Sequence, residues 1–396
     1  MHKRFFPAFI GGLALVLSAS PAFAAGPEDE PAFAWGAVYN ADLVGPISGS
    51  AKKEAVFLDK LSVKASLDLE QTLGWTGASI HGHFLNNSGG APNDALGIAD
   101  GIDNIEVASQ RGKLHEIFLD QTFQDGDLLF RIGQFDLNAD FYVTDSSGLF
   151  INPAFGISAE LSATGSAGPS IFPSTALGVM VRGVPSETSY AQIAVFDENA
   201  GNIGDEGGIP SPFKNGALVI GEAGWTAEGK IAFGLWGYTD KQADLRDVDR
   251  LGAAVMATET GAYILVDQPI DALSEGARKA NAFLRLGVSS GRATPFSGAS
   301  QAGIYLSHVF SDRPDSQLGV GVRYALLSDR YQANARDSGI NPASNETGLE
   351  ITYADNILPW LTAQPSVQVI SNPGGDADAN TVVVAALRVS MSFGSR

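Results

Sequence analysis

Residues 60–70 run Lys60-Leu61-Ser62-Val63-Lys64-Ala65-Ser66-Leu67-Asp68-Leu69-Glu70, with polar and apolar side chains alternating without a break. Side chains on a strand point to opposite faces in turn, so this segment is an amphipathic strand with one polar and one greasy face. The same period of two returns near the C-terminus. There Thr362, Gln364, Ser366 and Gln368 alternate with Leu361, Ala363, Pro365, Val367 and Val369. In the last segment Val383, Ala385, Leu387, Val389, Met391 and Phe393 oppose Arg388, Ser390 and Ser392.

Sixteen such segments are predicted: 31–44, 53–71, 75–87, 113–124, 127–136, 175–184, 188–198, 216–226, 229–240, 257–268, 278–290, 300–311, 316–328, 346–356, 360–371 and 380–393. Their connections alternate in length. Thr72–Gly74, Asp125–Gly126, Pro185–Glu187, Ala227–Glu228, Asp312–Asp315 and Ile357–Pro359 are tight turns, whereas 88–112, 137–174, 199–215, 241–256, 291–299, 329–345 and 372–379 are longer and rich in Gly, Asn, Asp and Ser. The first long-side connection, 45–52, is short, the turn-side connection 269–277 is longer than the rest, and 246–267 holds either one long strand or two short ones. An even number of strands, short turns at one end and long loops at the other define an outer-membrane β-barrel with both termini in the periplasm.

Composition supports a barrel. Of 396 residues only 17% are charged and 44% are hydrophobic, yet beyond the N-terminal segment no run approaches the ~20 apolar residues of a spanning helix. A closed barrel is the other way to satisfy every backbone group in lipid. A soluble β-sandwich would place Lys64, Asp68, Glu70, Arg285, Arg323, Glu350 and Arg388 in a dry core, where unpaired charges are costly; a water-filled lumen hydrates them. Trp35, Trp75, Trp225 and Trp360 near strand ends fit interfacial girdles. Residues 1–24 carry Lys3 and Arg4, an apolar run from Phe5 to Leu17 and a small-residue end at Ala22-Phe23-Ala24, the pattern of a secretory signal peptide, leaving 25–396 as the barrel domain.

A net charge of −19 argues against a nucleic-acid groove, and zero cysteines exclude disulfides, Cys-ligated zinc and thiol catalysis. No G-x-S-x-G elbow, phosphate-cradling Gly-Lys motif or H-E-x-x-H is found, so neither catalysis nor a cofactor is predicted. His81-Gly82-His83 puts two imidazoles on one strand face, but no third ligand is evident and no metal site is predicted. The acidic stretch Asp197-Glu198-Asn199 with Asp205-Glu206 lacks the spacing of a calcium loop and reads as a solvated external loop.

Parity assigns Lys64, Asp68, Glu70, Arg182, Arg285, Arg323, Glu350, Gln364, Gln368 and Arg388 to the lumen face. Arg131, Gln134, Asp136 and Asn138 lead into 137–174, the longest loop and the expected constriction. Around Gly133 the alternation breaks, which predicts a bulge there. Within the loop Phe150, Phe155 and Phe172 suit either anchorage to the wall, the favoured role, or stacking on the apolar face of a ring-shaped solute.

Several strings carry a family resemblance. Arg131-Ile132-Gly133-Gln134-Phe135-Asp136-Leu137-Asn138, followed by Phe150-Ile151-Asn152-Pro153-Ala154-Phe155-Gly156, resembles the carbohydrate-selective porins of the OprB type. So does the C-terminal string from Glu350 through Pro359-Trp360-Leu361-Thr362-Ala363-Gln364-Pro365 to Asn372-Pro373-Gly374-Gly375, together with Gly74-Trp75 and Asn86-Asn87. The resemblance implies a sixteen-stranded outer-membrane barrel that passes small sugars down their gradient, narrowed by an inward-folded loop and by lumen charges. A general or ion-selective porin is the alternative. The expected partners are small sugars, outer-membrane lipid with lipopolysaccharide, and the barrel-assembly machinery, and a homo-oligomer is admissible. Barrels of this class usually end on an aromatic residue read by that machinery. Here Phe393 is followed by Gly394-Ser395-Arg396, a departure that bears on assembly and leaves the channel untouched.

Overall fold

The computed structural model describes residues 31–108, 110–165, 168–201 and 213–394. The expected leader at 1–24 and Asp205-Glu206 lie outside them. Eighteen strands are present among the described residues. They are β1 (Phe33–Ser48), β2 (Val56–Asp68), β3 (Ala78–Gly89), β4 (Arg111–Phe123), β5 (Leu128–Phe135), β6 (Ala176–Ser186), β7 (Ser189–Asp197), β8 (Ala217–Trp225), β9 (Lys230–Tyr238), β10 (Gln242–Val248), β11 (Ala254–Ala257), β12 (Thr260–Pro269), β13 (Lys279–Ser289), β14 (Phe296–Ser307), β15 (Gln317–Leu327), β16 (Asn345–Leu358), β17 (Leu361–Ser371) and β18 (Val382–Gly394).

All but β10 and β11 form one closed barrel in which sequence neighbours pair antiparallel and β1 closes on β18, with Ala37 opposite Phe393 and Leu43 opposite Leu387. Closure removes the unpaired strand edges that lipid would not tolerate. Each of the sixteen predicted segments overlaps one barrel strand. The region 246–267 resolves into a separate β10–β11 hairpin followed by β12. That hairpin is tied to the long-loop end by Asp244, which accepts from Arg292 (3.1 Å) and Arg330 (2.8 Å). Among the described residues no helix is long and apolar enough to cross a membrane.

The outer face is the predicted apolar parity. Phe57, Ile132, Ile193, Leu235, Ile264, Leu286, Val322, Ile351, Val367 and Leu387 are all exposed. Trp35, Trp75, Trp225 and Trp360 are exposed as well, and all four lie at the short-turn end, where Trp360 stacks on Phe393. They form a belt at one rim.

The second predicted strand ends earlier than alternation suggests. Asp68 caps a helical turn, α1 (Leu69–Leu73), by accepting from the Gln71 amide at 3.0 Å, and Gly74 closes it at φ +71°. Glu70 is therefore an exposed turn residue whose carboxylate accepts from the Gly77 amide, and Asp68 sits at the strand terminus. Neither lines the middle of the lumen. Two apolar–polar steps that belong to a capped turn mimic one more strand repeat.

The inside is not an open pipe. Two of the long connections fold inward. Residues 90–110 place Ile98, Ile102 and Ile105 against Val44, Leu58, Ile370, Val382 and Val384 of the wall. Residues 137–174 place Leu137, Phe141, Tyr142 and Leu161 against Met180, Phe196, Ile220, Trp236, Tyr263 and Leu265. The sequence predicted only the second of these. The two loops build an interior core, so several inward wall positions are apolar too.

Candidate functional site: a lumen narrowed by two anchored loops

The wall residues that face these loops are those the parity reading selected, and most are buried. Arg285 is 0% exposed, Glu350 1%, Arg323 2% and Arg388 8%. They were expected to be hydrated by lumen water; instead the inward loops cover them and supply their partners, which is how a buried charge becomes tolerable.

Arg285, on β13, donates to the carbonyls of Tyr142 (3.1 Å), Phe155 and Gly156 (2.7 Å) and lies 4.9 Å from the Tyr142 ring centre. Glu350, on β16, accepts from the amides of Ile151 (2.9 Å) and Asn152 (3.0 Å) and from Ser366 (2.9 Å). On β17, Gln364 donates to the Leu149 carbonyl (2.6 Å). Gln368 donates to Ile102 of the first loop (2.8 Å) and accepts from Asn152 of the second (3.0 Å), joining the two. Arg323 pairs with Asp100 (3.0 Å) and Glu346 (3.1 Å), and Glu346 also receives the Ala99 amide (2.8 Å). Arg388 clamps Asp42 with two nitrogens (2.9 and 2.6 Å) and reaches Asn104 (2.7 Å) and Asp103 (3.4 Å). These contacts make anchors of six of the predicted lumen residues outright.

Phe150 and Phe155 are anchors as well. Their rings stack at 4.2 Å, meet Phe283 edge-on, and rest on β15, where a Cβ at Gly319 or Gly321 would come within 2.9 or 2.8 Å of them. Glycine at both positions lets the rings reach the backbone of the wall. Phe172 differs: it is half-buried, its amide donates to Asp136 (3.2 Å), and the Lys60 ammonium lies 5.2 Å from its ring centre.

At the mouth of the second loop Arg131 holds Asp120 with two bonds (2.7 and 2.8 Å) and Asp140 with a third (2.7 Å), its plane 4.2 Å above Phe118. Asp136 caps the first turn of the loop through the Asn138 amide (2.7 Å), and Asn138 donates to Phe141 and Gly156 (both 3.1 Å). Gln134 is buried and donates to Thr175 (3.1 Å). The register of β5 is continuous through Gly133 on both sides; the bulge lies on β4, where His83 opposes Glu116 and Phe84 opposes Leu114. That bulge turns both His115 and Glu116 inward beside His83, so the third ligand-type side chain that the sequence did not reveal comes from the neighbouring strand. His81 instead stacks on Phe118 at 4.9 Å.

Lys64 and Arg182 remain half-buried on the inner face, Arg182 lying 4.6 Å from the Tyr190 ring centre and bonding Gln192 (3.3 Å). Several anchors escaped the sequence reading, among them Glu346 and also Asp267, which accepts from the Ser146 amide and hydroxyl (2.8 and 2.6 Å). Glu222, on β8, takes the Tyr142 amide (3.1 Å) and the hydroxyls of Tyr190 (2.5 Å) and Tyr263 (2.7 Å). It shares its parity with Leu218 and Ile220, which pack on the loop, so β8 is apolar on both faces and its inward face cannot be read from alternation.

The arrangement is a barrel whose bore is reduced by loops fixed to its inner wall. Residues 52–393 match the family described as carbohydrate-selective porin, OprB family. The chain belongs to this family. Porin B of Pseudomonas aeruginosa is 23% identical over 378 residues, spanning 86% of this chain and 83% of its own. Among solved structures the high-pH form of Pseudomonas putida OprB is 22% identical, with a TM-score of 0.82 over 91% of this chain and 94% of that one. The low-pH form, at 18% identity, gives 0.56 over 91% and 93%. The OprB-type resemblance in the sequence thus holds over most of the chain. This porin is a sugar-selective channel with the closed barrel of the bacterial outer membrane.

Proposed function

We propose that small neutral sugars cross this porin between the inward loops and the wall, in contact with Lys64, Asp136, Asn138, Phe172 and Arg182. The supporting observation is one of elimination: Arg285, Arg323, Glu350, Gln364, Gln368 and Arg388 are committed to the loops, while Lys64, Phe172 and Arg182 stay half-buried, and Asp136 and Asn138, which cap the second loop, are half-buried beside them. A polyhydroxylated solute needs donors and acceptors that replace its water shell without holding it, and weak contact at several points keeps release fast. Lysine and arginine donate to hydroxyls, Asp136 accepts, and the ring of Phe172 offers an apolar face to a pyranose.

We further infer that residues 1–24 direct export, that the short-turn end faces the periplasm, and that the tryptophan belt marks that interface. Contact with lipopolysaccharide and delivery by the barrel-assembly machinery follow from that placement, which also admits a homo-oligomer. A swelling assay on proteoliposomes with sugars of graded size tests the route. Lys64→Ala and Phe172→Ala should slow sugar entry more than entry of an amino acid of similar size. Equal effects on both solutes would indicate a general or ion-selective porin.

A further inference from the structure

We propose that His83, His115 and Glu116 form a binding site for a borderline divalent metal ion of the Zn²⁺ class on the inner wall of the barrel. One ligand atom from each residue lies within 4.8 Å of the others. The β4 bulge creates the group by turning two consecutive side chains inward opposite His83. Two imidazoles and one carboxylate are a common three-ligand set for zinc, with a fourth position left to water.

The hydrogen bonds around the trio fit this role. His115 is 2% exposed, and its Nδ1 is buried with no hydrogen-bond partner, which is unusual for an imidazole. Its Nε2 lies 3.5 Å from Asp136 Oδ2, the carboxylate–histidine pairing that orients metal ligands, so Nδ1 is the lone pair offered to a cation. Glu116 has one oxygen held by the Asp136 amide (2.9 Å), while the other meets His83 Nδ1 at 2.8 Å. Nε2 of His83 is 2.6 Å from Ser62 Oγ. Without metal a proton on His83 Nδ1 is shared with Glu116, and a metal ion would take its place: that proton moves by way of water to Nε2, which then donates it to Ser62 Oγ, and Nδ1 and the carboxylate oxygen bind the ion. Lys64, opposite His83 in the strand register, is the neighbouring positive charge that opposes binding.

The test is titration of ZnCl₂ into the detergent-purified full-length barrel by calorimetry, with retained heat-shifted electrophoretic mobility as the check on folding. The wild type should take up one equivalent. His115→Ala and Glu116→Gln should lose it, His308→Asn should keep it, and Lys64→Gln should tighten it. Asp136→Asn should weaken it by about 10–100-fold, the usual effect of removing an outer-shell partner. No saturable uptake by the wild type, or uptake that survives both His115→Ala and Glu116→Gln, overturns the site. Zinc-edge absorption of the loaded wild type is independent of any variant's folding. It should show imidazole scattering from two rings at roughly 2.0–2.1 Å, and a spectrum with oxygen ligands alone overturns the assignment.

Discussion

Arg285 spends its guanidinium on backbone carbonyls of the second inward loop, so its removal orphans acceptors that water cannot reach. Each such buried group costs about 1–3 kcal/mol when left unsatisfied. Arg285→Met should therefore lower the thermal midpoint in detergent and give a larger, noisier single-channel current; an unchanged midpoint would remove Arg285 from the anchoring set. Arg323 faces Asp100 and Glu346, and Arg323→Glu would bring three carboxylates together. The first loop should detach and conductance should rise. Lys64 is the position for a pure selectivity change: Lys64→Glu should move the reversal potential toward cation preference at near-constant conductance, as read in a salt gradient across a planar bilayer. Parity alone identified Lys64, Arg285 and Arg323 as inward, because charge on a lipid-facing strand position is excluded. It could not tell the free side chain from the anchored ones, since that depends on loop residues distant in sequence, 223 positions away in the case of Asp100 and Arg323.

The elements divide by how locally they are determined. β2, β17 and β18 are legible along 60–68, 361–369 and 387–393, where the inner face is polar and the outer one meets lipid; beyond those stretches Leu58, Ile370, Val382 and Val384 turn inward onto the first loop. β8 is legible as a strand at 216–226 but its inward face is not, because loop 137–174 replaces water on that side. The inward course of 90–110 was equally hidden: Ile98, Ile102 and Ile105 look like scattered apolar residues in a Gly- and Asp-rich loop until the wall positions Val44, Leu58 and Ile370 are beside them. Within the second loop, Glu160 lies on the short helix Ala159–Ser162 and receives the Tyr142 hydroxyl at 2.7 Å. Burial pushes its carboxyl up to about 7. A carboxyl raised on folding favours the folded state below the unfolded value of about 4.3, and that contribution is lost as pH climbs through the folded value. Between pH 5 and 8 the loop should thus weaken by an amount on the order of a few kcal/mol. The thermal midpoint of the wild type should step down across this range and that of Glu160→Gln should not; parallel profiles would exclude Glu160 as the source.

At the scale of the molecule, two solvents are separated by one sheet. Leu387 is exposed on the outer face and Ser390 lies on the inner one. Leu387→Arg should impair insertion by about 2–4 kcal/mol if the site lies at the bilayer midplane, whereas Ser390→Arg should insert normally. Refolding yields into lipid vesicles measure the difference. The barrel outline, strand count and face assignment were readable from period two and closure, and the belt of Trp35, Trp75, Trp225 and Trp360 was readable as a girdle but not as a single rim. The bore is set by long-range docking of two loops, which has no periodic signature. On the proposed route the remaining polar wall selects solutes that can trade hydrogen bonds with it, and planar-bilayer conductance under added glucose examines that most directly. The current through the wild-type channel should fall saturably as glucose rises through the millimolar range and recover on washout, whereas a current indifferent to glucose at every concentration would contradict a sugar-selective bore.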